Sequence, residues 1–209
     1  MALALACAAL VSAALTIRFD RARRQPEVYI FRMATMALII TAAAVRPAPV
    51  PASYKTFVLA GLAASLAGDV FMMLPRKRFA AGLVAFLAAN GFYILAFRPA
   101  AGRPVPAGLL LPFILLALLM FRTLAPGLGV MKGPVLVYIG TVSAMAWLAS
   151  NRYVETGGTR AFLAMAGALL FLASDAVLAI NRFTRPFAAA QAVILGLYFP
   201  AQILIALSV

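Results

Sequence analysis

Apolar residues run through this chain in stretches about as long as a membrane helix, each closed by charge, proline or glycine. Reading those boundaries gives eight candidate spans, at 2–17, 28–45, 54–74, 79–97, 105–121, 133–150, 161–180 and 187–208. Segments of about 20 residues that are apolar on every side match the roughly 30 Å of hydrocarbon a helix must cross. Strands of a membrane barrel would alternate apolar and polar positions, which these segments do not. The predicted fold class is therefore all-α: a polytopic membrane helix bundle of about eight transmembrane helices, built as one integral membrane domain over residues 1–209.

Composition supports this reading, since 66% hydrophobic and 11% charged residues leave too little polar surface for a soluble fold. The formal charge of +13 raises the question of nucleic acid. The Arg and Lys residues, however, fall between apolar runs instead of gathering on one face, so no nucleic-acid partner is expected. Alternate loops divide them unequally. One side holds Arg18, Arg21, Arg23, Arg24, Arg76, Lys77, Arg78, Arg122, Lys132, Arg182 and Arg185; the other holds Arg46, Lys55, Arg98, Arg103, Arg152 and Arg160. The positive-inside bias places the richer side in the cytoplasm and both termini outside it. The first run has no basic residue before it and four arginines after it, the pattern of an uncleaved anchor. Ala-rich, Arg-over-Lys usage suggests a bacterial inner membrane.

The chain has no histidine and a single cysteine, Cys7. A Ser-His-Asp triad, a Cys-His pair, a histidine zinc site and a disulfide are all excluded within one chain. Any hydrolysis must run on carboxylates, hydroxyls and amides. Only five residues are acidic, yet two of them, Asp69 and Asp175, lie inside apolar spans. A charge at that depth costs roughly 2.5–3.5 kcal/mol on insertion scales, so such a residue has a partner or a task.

Both aspartates precede the cytoplasmic end of their predicted span by five residues, or about 8 Å of helix. An arginine follows each by seven positions, Arg76 and Arg182. This correspondence suggests a weak repeat of two four-span halves in parallel orientation. Gly61, Ser65 and Asp69 share one helical face, a small-residue stripe that turns the carboxyl towards the bundle. Gln191, Tyr198 and Gln202 form a polar face in the last span, and Asn90 with Tyr93 and Tyr138 with Thr141 form two more. Such faces converge on an interior cavity or hold helices together by hydrogen bonds. Arg32 lies within the second span and is available to pair with an aspartate, whereas Lys55 only snorkels. Arg76, Lys77 and Arg182 lie on the aspartate side, where they serve either to anchor a lipid phosphate or to set topology.

Several of these blocks resemble the YhhN-like lysoplasmalogenases. The first signature is similar to Ala60 through Asp69, Leu74-Pro75-Arg76-Lys77-Arg78-Phe79 and Gly82 through Leu87. The second is similar to Gly167 through Phe183, which contains Ser174-Asp175 and Asn181-Arg182, closing with Tyr198-Phe199-Pro200-Ala201-Gln202. The resemblance spans nearly the whole chain. Members often carry His where this chain has Asn90 and Lys where it has Arg32, and some have Ser-Asn in place of Ser174-Asp175. The first difference removes a titratable group; the second keeps the charge and changes its geometry.

The resemblance implies hydrolysis of the vinyl ether of a lysoplasmalogen to a fatty aldehyde and a glycerophospho-ethanolamine or -choline. It also implies Asp69 and Asp175 as the catalytic pair, with no metal or organic cofactor. That bond breaks by protonation of the distal vinyl carbon and capture of the oxocarbenium ion by water. One proton donor and one anion suffice, much as in glycosidases. Asp175 is assigned as the acid and Asp69 as the anion. Arg32, Ser65, Asn90, Tyr93, Tyr138, Ser174, Asn181, Tyr198 and Gln202 are the candidates for binding water or substrate. The expected partners are a vinyl-ether lysophospholipid and membrane lipids. Two other classes fit the residues: a proton-coupled transporter that uses the aspartates as a relay, and a lipid-binding scaffold braced by them.

Overall fold

A computed structural model describes residues 1–47, 50–74, 78–99 and 107–209, and among them every regular element is helical. The helices are α1 (Ala2–Arg21), α2 (Gln25–Val45), α3 (Ala52–Met73), α4 (Phe79–Phe97), α5 (Leu110–Leu124), α6 (Lys132–Thr156), α7 (Gly158–Phe183) and α8 (Ala190–Leu207). Eight are long and apolar enough to cross a membrane, α5 with the short 3-10 turns at its two ends. Local chemistry fixes the ends. Pro26 and Glu27 open α2, where a missing N–H costs nothing and a negative charge meets the helix dipole. Gly157 and Gly158 separate α6 from α7 with φ of 62° and 76°, a backbone that side chains disfavour.

The helices pack in a ring that runs α1, α2, α3, α4, α6, α7, α8 and back to α1. Helix α8 also touches α2 and α3 and is the most enclosed, with 56% of its span buried. Three polar rungs tie it to the α3–α4 pair. Tyr54 and Ser208 share a hydroxyl bond of 2.7 Å, Tyr93 donates to Gln202 at 2.7 Å, and Tyr198 donates to Asp69 at 2.8 Å. Helix α5 stands outside the ring against α6 and α7, with 6% of its span buried. The pairs α3–α4 and α7–α8, which occupy corresponding places in the two halves, are both in extensive contact. Their counterparts differ, because α1 is clasped by α2 and α8 while α5 is peripheral.

The small-residue stripe on α3 has a physical cause in this packing. A Cβ on Gly68 would meet the Phe86 ring at 2.8 Å, and one on Gly61 would enter the Tyr93 ring. Glycine therefore lets two aromatic rings of α4 lie against the α3 backbone beside Asp69. Gly68→Val is expected to lower stability by about 1–3 kcal/mol through overpacking. Thermal unfolding in detergent measures it.

Helix ends differ from the sequence reading in one respect that bears on the aspartates. Helix α7 continues to Phe183, so Asp175 lies eight residues from its end, whereas Asp69 lies four from the end of α3 at Met73. The matched depth of five residues therefore does not hold by helix ends. Polar Asn181 and Arg182 sit in the last turn of α7, and hydropathy alone stopped short of them.

Candidate active site at the junction of a polar and an apolar cavity

Asp69 projects from the last turns of α3 and is fully buried. Arg32 of α2 reaches it with two donors, Nε at 3.0 Å and Nη2 at 2.6 Å, both to Oδ1. The Tyr198 hydroxyl of α8 donates to Oδ2 at 2.8 Å. Both carboxylate oxygens are thus satisfied, and the burial of two charges is matched by short, charge-assisted bonds. The Asp–Arg pairing left open by the sequence is made with the first aspartate.

Asp175, on α7, has a different environment. Its Oδ2 accepts one hydrogen bond, from the Tyr138 hydroxyl of α6 at 2.6 Å. Among the described residues no cation pairs with it. Asn90 of α4 stands beside the same Tyr138 hydroxyl. Its side-chain amide is buried with neither nitrogen nor oxygen bonded among the described residues. Tyr138 thus stands between a carboxyl on α7, to which it donates, and an unbonded amide on α4.

Two cavities meet at Asp175. A cavity of about 110 Å³ is lined by Arg32, Tyr198, Gln191, Ser174 and Asp175. An apolar slot of about 30 Å³ is lined by Asp175 and Tyr138 with Phe79, Leu83, Met120 and Phe183 among its walls. Met72, Phe86 and Leu178 belong to both linings. An apolar recess with a few converging polar groups is the usual form of a small-molecule site. Here the Asp175 carboxyl lies where the character of the wall changes.

The remaining candidates are distributed around this junction. Tyr93 is held by Gln202, with the buried Ser65 hydroxyl beside it, one level deeper in the bundle. Ser174 lines the polar cavity and also donates to the Ile194 carbonyl at 3.1 Å, bracing α7 on α8. Asn181 accepts from the Phe187 N–H in the α7–α8 turn at 3.1 Å. Arg182 is exposed, its guanidinium 4.8 Å from the centre of the Phe79 ring, at the rim of the apolar slot. Arg76 and Lys77 lie outside the described residues. Thr141 bonds the Val137 carbonyl of its own helix. Lys55 is tied to the Ala44 and Arg46 carbonyls at 2.8 Å each, so it caps the end of α2 instead of snorkelling freely. The apolar walls Met72, Phe86 and Met120 carry no sequence signal that separates them from other core residues. Only the packing of α3, α4 and α5 brings them to Asp175.

The model of the YhhN family matches residues 28–209 of the chain. The uncharacterized membrane protein YhhN of Escherichia coli O157:H7 is 31% identical over 179 residues, covering 85% of this chain and 84% of its own length. A protein named lysoplasmalogenase TMEM86B from Sus scrofa is 35% identical over 160 residues, 75% of this chain and 64% of its own length. Lysoplasmalogenase TMEM86A from Bos taurus is 33% identical over 165 residues, 76% and 66% respectively. No solved structure matches the chain.

Proposed function

Because the chain belongs to the YhhN family, which it shares with relatives named lysoplasmalogenases, we propose that it is a membrane-embedded hydrolase of the lysoplasmalogen vinyl ether. The products are a fatty aldehyde and a glycerophospho-ethanolamine or -choline. The observation that carries this reading is the position of Asp175, between an apolar slot and a polar cavity, bonded by Tyr138 and by no cation among the described residues.

The chemistry follows from that position. With the vinyl end of the hydrocarbon chain at the slot and the glycerol part in the polar cavity, the vinyl ether lies beside the carboxyl. Asp175 gives its proton to the distal vinyl carbon; the vinyl π pair forms the new C–H bond and an oxocarbenium ion is left. The carboxylate that remains on Asp175 is the counter-ion of that cation, and Tyr138 donates to it. Water adds to the carbon bound to oxygen and returns a proton to Asp175. The hemiacetal then separates into aldehyde and glycerol hydroxyl. Asp69 acts one step back: its carboxylate fixes Arg32 and Tyr198, which line the polar cavity where glycerol and water sit. This divides the roles of the two carboxyls by their partners, in the way paired acids differ elsewhere.

Tyr138→Phe tests the site without removing either acid. A hydrogen bond to a charged group is worth about 1.5–3 kcal/mol, so kcat is expected to fall by roughly 10–100-fold with KM little changed. Steady-state aldehyde release by the folded variant measures it. A KM effect with unchanged kcat would show instead that Tyr138 only binds substrate.

A further inference from the structure

The apolar slot at Asp175 ends on Met120, and Met120 is also part of the outer surface. A second apolar groove, of about 230 Å³, lies between α5 and α7, lined by Leu116, Leu119, Met120 and Thr123 on one side and Ala176 and Ile180 on the other. Met120 belongs to both the groove and the slot. A flexible, unbranched side chain is thus shared by the outer groove and the wall of the candidate active site. Helix α5 is suited to yield there, since Leu124 is its one buried residue and Leu111, Leu115, Leu118 and Leu119 are all exposed.

Charge defines the direction of the groove. Helices α5 and α7 end on the same side of the bundle, because Gly127, just past α5, lies against the Phe183 carbonyl at the end of α7. Exposed Arg122 and Arg182 stand in the last turns of the two helices. Thr123 and Ile180 place the rim of the groove beside them, and Leu116 and Ala176 lie farther in. A ligand with an anionic head and one hydrocarbon tail matches this surface, head on the arginines and tail along the groove.

We propose that the fissure between α5 and α7 is a lateral portal through which the single hydrocarbon chain of a phosphate-bearing lysolipid passes from the bilayer to Asp175, with Met120 as its gate. The proposal rests on the hydrolase reading for the purpose of the passage, and its occupant is one chain.

Two variants test it. Met120→Trp fills the gate from within, and Leu119→Trp fills the groove from its exposed, lipid-facing side, where folding is not at stake. The probes are a hexadecenyl vinyl-ether lysolipid, a butenyl analogue and a saturated, uncleavable hexadecyl ether lysolipid. Both variants are expected to lower kcat/KM for the long chain about tenfold or more, through KM, and to weaken binding of the saturated ether by a similar factor. For Leu119→Trp the butenyl substrate is expected to stay within about twofold of wild type, because its tail does not reach the groove. Equal losses for both chain lengths in Leu119→Trp, or saturated-ether binding that neither variant weakens, would overturn the portal. Wild type that binds the saturated ether but cleaves neither vinyl ether would overturn the hydrolase reading, and the binding comparison alone would then decide the portal.

Discussion

Asp175→Asn is expected to lower aldehyde release from a lysoplasmalogen by about 10²–10⁴-fold, the usual contribution of a positioned general acid. The amide is nearly isosteric and still accepts the Tyr138 hydroxyl, so the fold should be retained. It has no acidic proton to give to carbon. It also leaves no anion beside the oxocarbenium ion, so both halves of the carboxyl's task are lost together. Bound saturated ether lysolipid should be retained, which separates lost chemistry from lost binding. The check is a single-turnover assay on protein shown to be folded by its thermal transition.

Arg32→Met should act on stability first. Its guanidinium is the salt-bridge partner of a fully buried Asp69, at 2.6 Å, with 10% of the Arg side chain and none of the Asp side chain exposed. Removing one member of a buried pair strands the other charge and costs about 3–5 kcal/mol. The Asp69→Asn change made in the same chain removes that stranded charge. The double variant is therefore expected to recover most of the lost stability, while activity stays low because the cation at the polar cavity is gone. Thermal unfolding of both single variants and the double variant in detergent reads the coupling directly. Additive losses would show that the pair carries no special weight.

Much of this was legible in the sequence, for reasons that differ by residue. The spans are written in hydropathy, which fixes helix existence strongly and helix ends weakly; this is why α7 overran its apolar stretch through Asn181 and Arg182. Asp69, Asp175 and Arg32 stood out because a charge in an apolar span is costly and rare. Tyr138, Tyr198, Asn90 and Gln202 were visible as polar positions, yet their partners were not. Tyr198 bonds Asp69 across 129 positions of sequence and Tyr138 bonds Asp175 across 37. Pairings of that kind are set by which helices adjoin, and apolar faces on every side of a span do not state its neighbours. For the same reason Met120 was indistinguishable from any other residue of α5. Gly61 stood in the small-residue stripe as a close-packing position, and the ring of Tyr93 is what it accommodates, as Gly68 accommodates Phe86.

The most direct test is to incubate purified wild-type protein with a lysoplasmalogen in D₂O, trap the aldehyde by rapid reduction, and weigh the product by mass spectrometry. Enzymatic protonation of the distal vinyl carbon predicts one deuterium at the carbon next to the former aldehyde carbon, with the signal lost in Asp175→Asn. No aldehyde from wild type with either the ethanolamine or the choline headgroup would contradict the account and favour a proton-coupled carrier built on the same two aspartates.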